Sequence, residues 1–305
     1  MADLFDILVR NQVYLEGLKR GQTAGFPKLL AQLDGSLRSA LSNIEYENLG
    51  DANKTQLNKL LVELRKAMRL VFTPYINGLV EWLERFMEVE ADNFDTYYEA
   101  PQPSDPAALF AASKTEPMGD GNFWFSYLNG YSLYTMSRIE RLVTNGYANR
   151  LTKQQIINSL IGTKSNGYKD GIGRQLDNLN RGAIATTIQH LSQFASTNIA
   201  KKVFGEYEWV SVLDDVTTDI CRDRDGNFYI YGRGPVPPAH GGCRSITVPR
   251  YDRAGTPDLR FGMWAKQQPD AFVKDAFDGA VPSRYEGGAA LTLEQYRGKR
   301  KFITA

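Results

Sequence analysis

The sequence predicts an α+β protein: a mainly helical N-terminal two-thirds, then a small β-hairpin-containing Cys/His module and a short helical tail. Three observations predict it. Apolar residues recur at three- and four-residue steps through much of the first 205 residues, the period of one helix face. Alternating apolar runs, the period of a half-buried strand, are confined to the stretch after Glu206. Both cysteines of the chain, Cys221 and Cys243, share that stretch with His240, one of only 2 histidines.

Residues 1–99 read as helical. Leu29, Leu30, Leu33, Leu37, Leu41 and Ile44 form one stripe. Asp51 or Asn53 is placed to cap the next helix. Its stripe runs Leu57, Leu60, Leu61, Leu64, Met68, Val71 and Phe72, then resumes at Leu79, Val80, Leu83, Phe86 and Met87. Pro74 lies between and is expected to kink or divide this helix, because it lacks the N–H that the ladder needs. Charge is lopsided: Lys54, Lys59, Arg65, Lys66 and Arg69 precede Glu81, Glu84, Glu88, Glu90, Asp92, Asp95 and Glu99. Such a face is solvated in one reading, and docks in one orientation on a charged partner in the other.

Residues 100–121 carry Pro101, Pro103, Pro106 and Pro117 and read as a linker or long loop. Residues 122–205 read as helical again, opening on an aromatic run from Phe123 to Tyr134. With no Lys or Arg interleaved in that run, core packing is favoured over base stacking. Thr152 and Gln155 have the spacing of a capping box. Lys164 to Gly173 is glycine-bearing but has no phosphate-loop signature and reads as a flexible loop. His190, on the following helix, reads as a packing residue. Residues 206–250 form the β module, with Asp225-Gly226 read as the turn of a hairpin. Residues 251–305 read as an irregular or helical tail ending in a basic cluster, Arg297 to Lys301.

The 36 basic and 35 acidic residues give a net charge of +1, which excludes a protein that coats DNA by bulk charge. Two cysteines exclude a disulfide framework and point to a reducing compartment. Residues 1–10 lack the basic start of a secretory signal. No apolar run reaches the roughly 18 residues of a membrane span. A soluble intracellular product is expected, at a length suited to about two domains.

The chemistry concentrates in residues 209–249. Cys221, His240 and Cys243 are soft-to-borderline donors that together suit zinc. A structural zinc takes four ligands, so Asp214, Asp215, Asp219 or a water would complete it, and Asp215 is the residue added to the set. Two other readings use the same side chains: a nucleophilic cysteine assisted by His240, or a buried reduced pair or disulfide. Elsewhere there are no paired acids in a plausible cleft, no nucleotide loop and no internal repeat. With so few histidines the general-base repertoire is thin, which points away from an enzyme.

Leu213-Asp214-Asp215, Thr217-Thr218, Cys221-Arg222 and Asp225-Gly226, followed by Pro237-Pro238, His240 and Cys243-Arg244-Ser245, resemble the Mu protein F-like head-morphogenesis domain of tailed bacteriophages. The resemblance spans Ala183 to Pro249, with an echo from Trp264 to Phe272. Ser245 stands where family members often carry a further cysteine, Gly241-Gly242 replaces a more usual Pro-Asn, and Thr186-Thr187 takes the place of an Arg-Thr pair. The resemblance implies a minor head protein, made in the host cytoplasm and resident in the phage head. It would act in assembly near the portal, in one or several copies. Portal and capsid proteins are then the expected partners, with packaged DNA as a contact of Arg297 to Lys301. Two rival functions remain: an internal protein ejected with the DNA, and a metal-dependent hydrolase or nuclease on Cys221, His240 and Cys243 with Asp215 as base.

Overall fold

The computed structural model describes residues 4–251, 260–285 and 288–304. The chain divides into two compact units, one of residues 1–23, 82–125 and 184–305, the other of residues 24–81 and 126–183. Three of the four boundaries fall inside helices that the sequence pattern runs straight through, which is why composition gave no sign of them.

In the second unit, α2 (Phe26–Ser42) buries Leu29, Leu33, Leu37 and Leu41, the stripe expected of it, and it packs on α6 (Lys153–Ile161). The Thr152–Gln155 capping box opens α6 as its spacing requires. The helix α3 (Lys54–Tyr97) starts on a second reciprocal cap, in which Asn53 accepts from the Gln56 amide and Gln56 accepts from the Asn53 amide. Asp51 instead pairs with Arg150. Leu60, Leu64, Met68 and Phe72 of α3 are buried, and Arg65 grips Glu140 of α5 (Trp124–Ala148) through two hydrogen bonds.

Of the two outcomes expected at Pro74, division of the helix does not occur: α3 runs through it unbroken. A mid-helix proline deprives the carbonyl four residues earlier of its partner. That residue is Leu70, which is 71% exposed, so the loss falls on a face open to water. The loop at 163–170 is pinned rather than free. Asp170 accepts from the Thr163 amide, the Thr163 hydroxyl and the Asn166 amide group, and these bonds hold its pKa well below the usual carboxylate range.

The first unit holds α1 (Leu4–Thr23), α4 (Pro106–Ser113) and a three-stranded antiparallel sheet. Strand β1 (Glu206–Val210) lies between β2 (Phe228–Ile230) and β3 (Ile246–Arg250). The register pairs Tyr207 with Tyr229 on one side and with Pro249 on the other. A proline is tolerated in β3 because it is an edge strand. The helix α7 (Gly173–Ala200) meets that edge: Gln193 accepts from the Thr247 amide, and the Gln189 amide group donates to the Ser245 carbonyl.

The proline-rich stretch 100–121 is not a structureless linker. Asp105 accepts from the Ala107 and Ala108 amides and Pro106 takes the first turn, so α4 carries a start signal the proline count obscured. Phe110 and Ser113 of α4 then pack on Trp124, whose indole N–H donates to Ser113 at 3.2 Å. The tail adds α9 (Phe261–Lys266), α10 (Asp270–Phe277), α11 (Leu293–Gly298) and α12 (Arg300–Ile303). α1 meets β3, α11 and α12, and Arg10 donates to the Phe302 carbonyl. Within the basic cluster of the tail, Lys299 pairs with Asp275 and Arg300 with Asp92, so two of its four cations are already neutralised. None of the described helices is long and apolar enough to cross a membrane.

Glu90 is fully buried in this unit, accepting from Ser192 and Tyr296. Burial raises its pKa to about 7 against the pull of these hydrogen bonds. A carboxyl whose folded pKa is raised favours the fold when protonated. Its contribution is therefore present below the ordinary value and is lost as pH rises to about 7. Glu90→Gln should raise stability at pH 8 by about 3 kcal/mol, and the gap should close by about pH 4.5. Urea melts of both proteins at the two pH values measure this.

Candidate metal centre

The module is built around Trp209, fully buried in β1. Its indole N–H donates to Ser211 at 2.8 Å, and the Ser211 hydroxyl lies 2.8 Å from the Cys221 carbonyl and 2.9 Å from the Ser245 hydroxyl. One serine thus joins the end of β1 to the segments bearing both cysteines.

Cys221 sits on α8 (Asp219–Arg224), a short helix lodged between β1 and β2. Asp225-Gly226 is not the tight hairpin turn its sequence predicts: the two strands do pair antiparallel, but α8 fills their connection. Asp225 follows the last residue of α8 and accepts from the Ser211 amide at 2.6 Å, and Gly226, at φ +74°, donates to the Trp209 carbonyl. Positive φ after a helix favours glycine as strongly as a hairpin turn does, so the dipeptide alone did not distinguish them.

His240 and Cys243 lie on the loop before β3. The Cys243 amide donates to the His240 carbonyl at 3.2 Å, closing a turn in which Gly242 has φ +75°. A residue with a Cβ is strained in that left-handed region. The Gly242 amide donates to Thr186 of α7, anchoring the turn. A second glycine, Gly234, lies where a Cβ would fall 2.5 Å from the Tyr207 hydroxyl. Gly234→Ala should therefore displace the loop and lower the urea midpoint of the chain.

The three predicted donors converge. The Cys221 sulfur is 3.7 Å from the Cys243 sulfur and 3.2 Å from His240 Nε2, and all three ligand atoms lie within 4.8 Å of one another. A disulfide would bring the sulfurs to about 2.05 Å, so the pair is two free thiols. Tetrahedral zinc, with bonds of about 2.3 Å to sulfur and 2.0 Å to nitrogen, needs edges of about 3.8 Å between sulfurs and 3.5 Å from sulfur to nitrogen. The two edges that meet at Cys221 therefore match a zinc site to within a few tenths of an ångström, and the third, from Cys243 to His240, is no longer than 4.8 Å. Both sulfurs are buried and His240 is half-buried.

The protonation pattern also suits a metal. His240 Nδ1 lies 2.9 Å from the Gly241 carbonyl. That bond takes the ring proton at Nδ1 and turns the bare lone pair of Nε2 toward the sulfurs, as in metal-binding histidines. The Cys243 thiol is lowered to about 6, first by the hydrogen bond from Cys221, while Cys221 is pushed up by the same bond and by burial. Of the two sulfurs, Cys243 is thus the one that gives up its proton first.

The aspartates are placed elsewhere. Asp214 takes both terminal nitrogens of Arg244 at 2.7 Å, and also accepts from Thr217 and from the Val216 and Tyr285 amides. It is a clamp joining the segment before Cys221 to the residue after Cys243. Burial pushes the Asp214 carboxyl up, but Arg244, the Tyr285 amide and Thr217 together hold it below its ordinary value. Asp215 and Asp219 are exposed and are not in the converging group. His190 is buried with its pKa lowered to about 4 by burial, and it is likewise outside the group.

Sequence reasoning assigned no role to Thr218. Its hydroxyl lies 2.8 Å from His240 Nε2. The signal was a threonine three residues before Cys221 at a helix start, where its side chain would ordinarily cap. No family model, curated protein or solved structure matches this chain.

Proposed function

We propose that this chain is a structural minor head protein of a tailed bacteriophage, non-enzymatic, acting in head assembly near the portal. Its Cys/His module would be a rigid knob fixed by one zinc ion on Cys221, His240 and Cys243. The observation that carries this reading is the coincidence of motif and architecture. The residues through which the sequence resembles the head-morphogenesis domain are the ones that bind each other across the module. Asp214 holds Arg244, Thr217 holds Asp214, Asp225 holds the end of β1, and the two cysteines meet the histidine. A motif that is spread along the chain yet closed in space is one whose joint function is a shape.

The knob would be presented to portal or capsid proteins by the first unit. The tail is a lesser candidate for DNA contact than its composition suggested, with Lys299 and Arg300 already paired. The test is to isolate particles of the phage encoding the chain and to locate it by cross-linking and mass spectrometry, with zinc measured on the purified protein. Portal-proximal cross-links in full and DNA-emptied heads alike, with one zinc per chain and no nuclease or peptidase activity, are the expected results. Absence from particles would remove the assembly role, and loss from emptied heads would transfer it to an ejected protein.

A further inference from the structure

We propose that the metal site is open: its fourth corner lies at Thr218 and holds an exchangeable small ligand, a water or a monodentate anion. This inference rests on the zinc reading given above.

Three observations carry it. First, the chain spends its nearby carboxylates elsewhere. Asp214 is held by Arg244, and Asp215 and Asp219 are exposed outside the group, so among the described residues Cys221, His240 and Cys243 stand as three ligands. A closed structural site has four protein ligands, whereas a site with three keeps one position for an exogenous one.

Second, a space beside Cys221 and His240 is preformed. A cavity of about 20 Å³ borders Cys221, His240, Val216, Thr218 and Gly242. One water needs roughly 10–15 Å³ by this measure, so the cavity admits a ligand of one or a few atoms and no bulky side chain.

Third, Thr218 is diverted from its local role. It stands at the N-cap of α8 with extended backbone angles, where a threonine oxygen ordinarily accepts from the helix amides. Its side chain makes no capping bond and instead meets His240 Nε2 at 2.8 Å, on the lone pair that a metal would take. A neutral hydroxyl is a weak zinc ligand beside thiolate or imidazole, so with metal present Thr218 is placed to hydrogen-bond the exchangeable ligand. Val216, which borders the cavity, is 48% exposed.

The experiment replaces zinc by Co(II) in the full chain and follows the visible and near-ultraviolet spectrum while azide is added. The wild type should bind one Co(II) with four-coordinate bands that shift and saturate with azide. Thr218→Cys should close the corner. Its sulfur-to-cobalt absorption should grow from two thiolates to three, its azide response should vanish, and its metal affinity should rise at least about tenfold. Thr218→Val should keep one metal and the azide response, which also covers the case that the cysteine variant does not fold. One bound Co(II) insensitive to azide in the wild type would overturn the open corner and leave the metal reading standing. Loss of metal by Thr218→Val, or no third thiolate in a folded Thr218→Cys, would overturn the assignment to Thr218. No binding of Co(II) or zinc at all would remove both inferences.

Discussion

Cys243→Ser is expected to release the metal and to destabilise the Cys/His module by about 4 kcal/mol in zinc-replete buffer, the stabilisation that a ligand supplies at about a thousand times its dissociation constant. The size follows from geometry. Cys243 is 1% exposed and its sulfur is one of only two at the site, so no neighbour replaces it. Trp209 is the natural reporter, because Ser211 links its indole to the Cys221 carbonyl. Hydrogen exchange at the β1 amides and a urea titration should show the loss. A chelator should bring the wild type down to the level of the variant and leave the variant unchanged. If chelation moves neither protein, the module is held by packing alone.

Asp214→Ala should cost about as much, 3–5 kcal/mol, the usual consequence of stranding one member of a buried ion pair. The Asp214 side chain is 3% exposed and Arg244 is 15% exposed, so little water is available to solvate the guanidinium left behind. Arg244 would keep the Tyr285 carbonyl and the face of the Tyr285 ring, neither of which carries a charge. The variant should also bind metal more weakly, because the clamp sets the spacing between the Cys221 and Cys243 segments. The folded pKa of Asp214 is lowered, so its stabilisation is present above the ordinary carboxylate value and disappears as pH falls through the folded one. The wild type should therefore lose stability in acid more steeply than Asp214→Ala. Parallel urea midpoints at pH 7 and pH 3 measure both effects, and equal slopes would show that the pair contributes nothing.

Much of this architecture is legible in the sequence, and the exceptions have common causes. The stripes of α2 and α3 could be read because burial on one helix face imposes a period that does not depend on distant residues. The meeting of Cys221, His240 and Cys243 could be read because donors of that type are so scarce in this chain. What could not be read are relations whose partner is remote or whose local signal has two meanings. Asp214 and Asp215 are neighbours of identical type, and only the position of Arg244, 30 residues away, decides which is the clamp and which stays in solvent. Asp225-Gly226 ends a helix as readily as it turns a hairpin. Pro106 breaks a helix in the interior yet starts one after Asp105. The break at Pro74 is absent because the carbonyl it orphans lies on the outer face, a property of burial rather than of the dipeptide.

The seating of α1 against α12 has a consequence for biosynthesis. The bond from Arg10 to the Phe302 carbonyl joins residues 292 apart, so α1 waits on the ribosome for a partner made 292 residues after it. At translation speeds of 5–20 residues per second, that delay is about 15–60 s. Throughout it, Leu8, Val9, Val13, Leu15 and Leu18 have yet to find their full set of neighbours. Until residue 302 is made that apolar face stays open to water, and slower translation of the intervening residues lengthens its exposure.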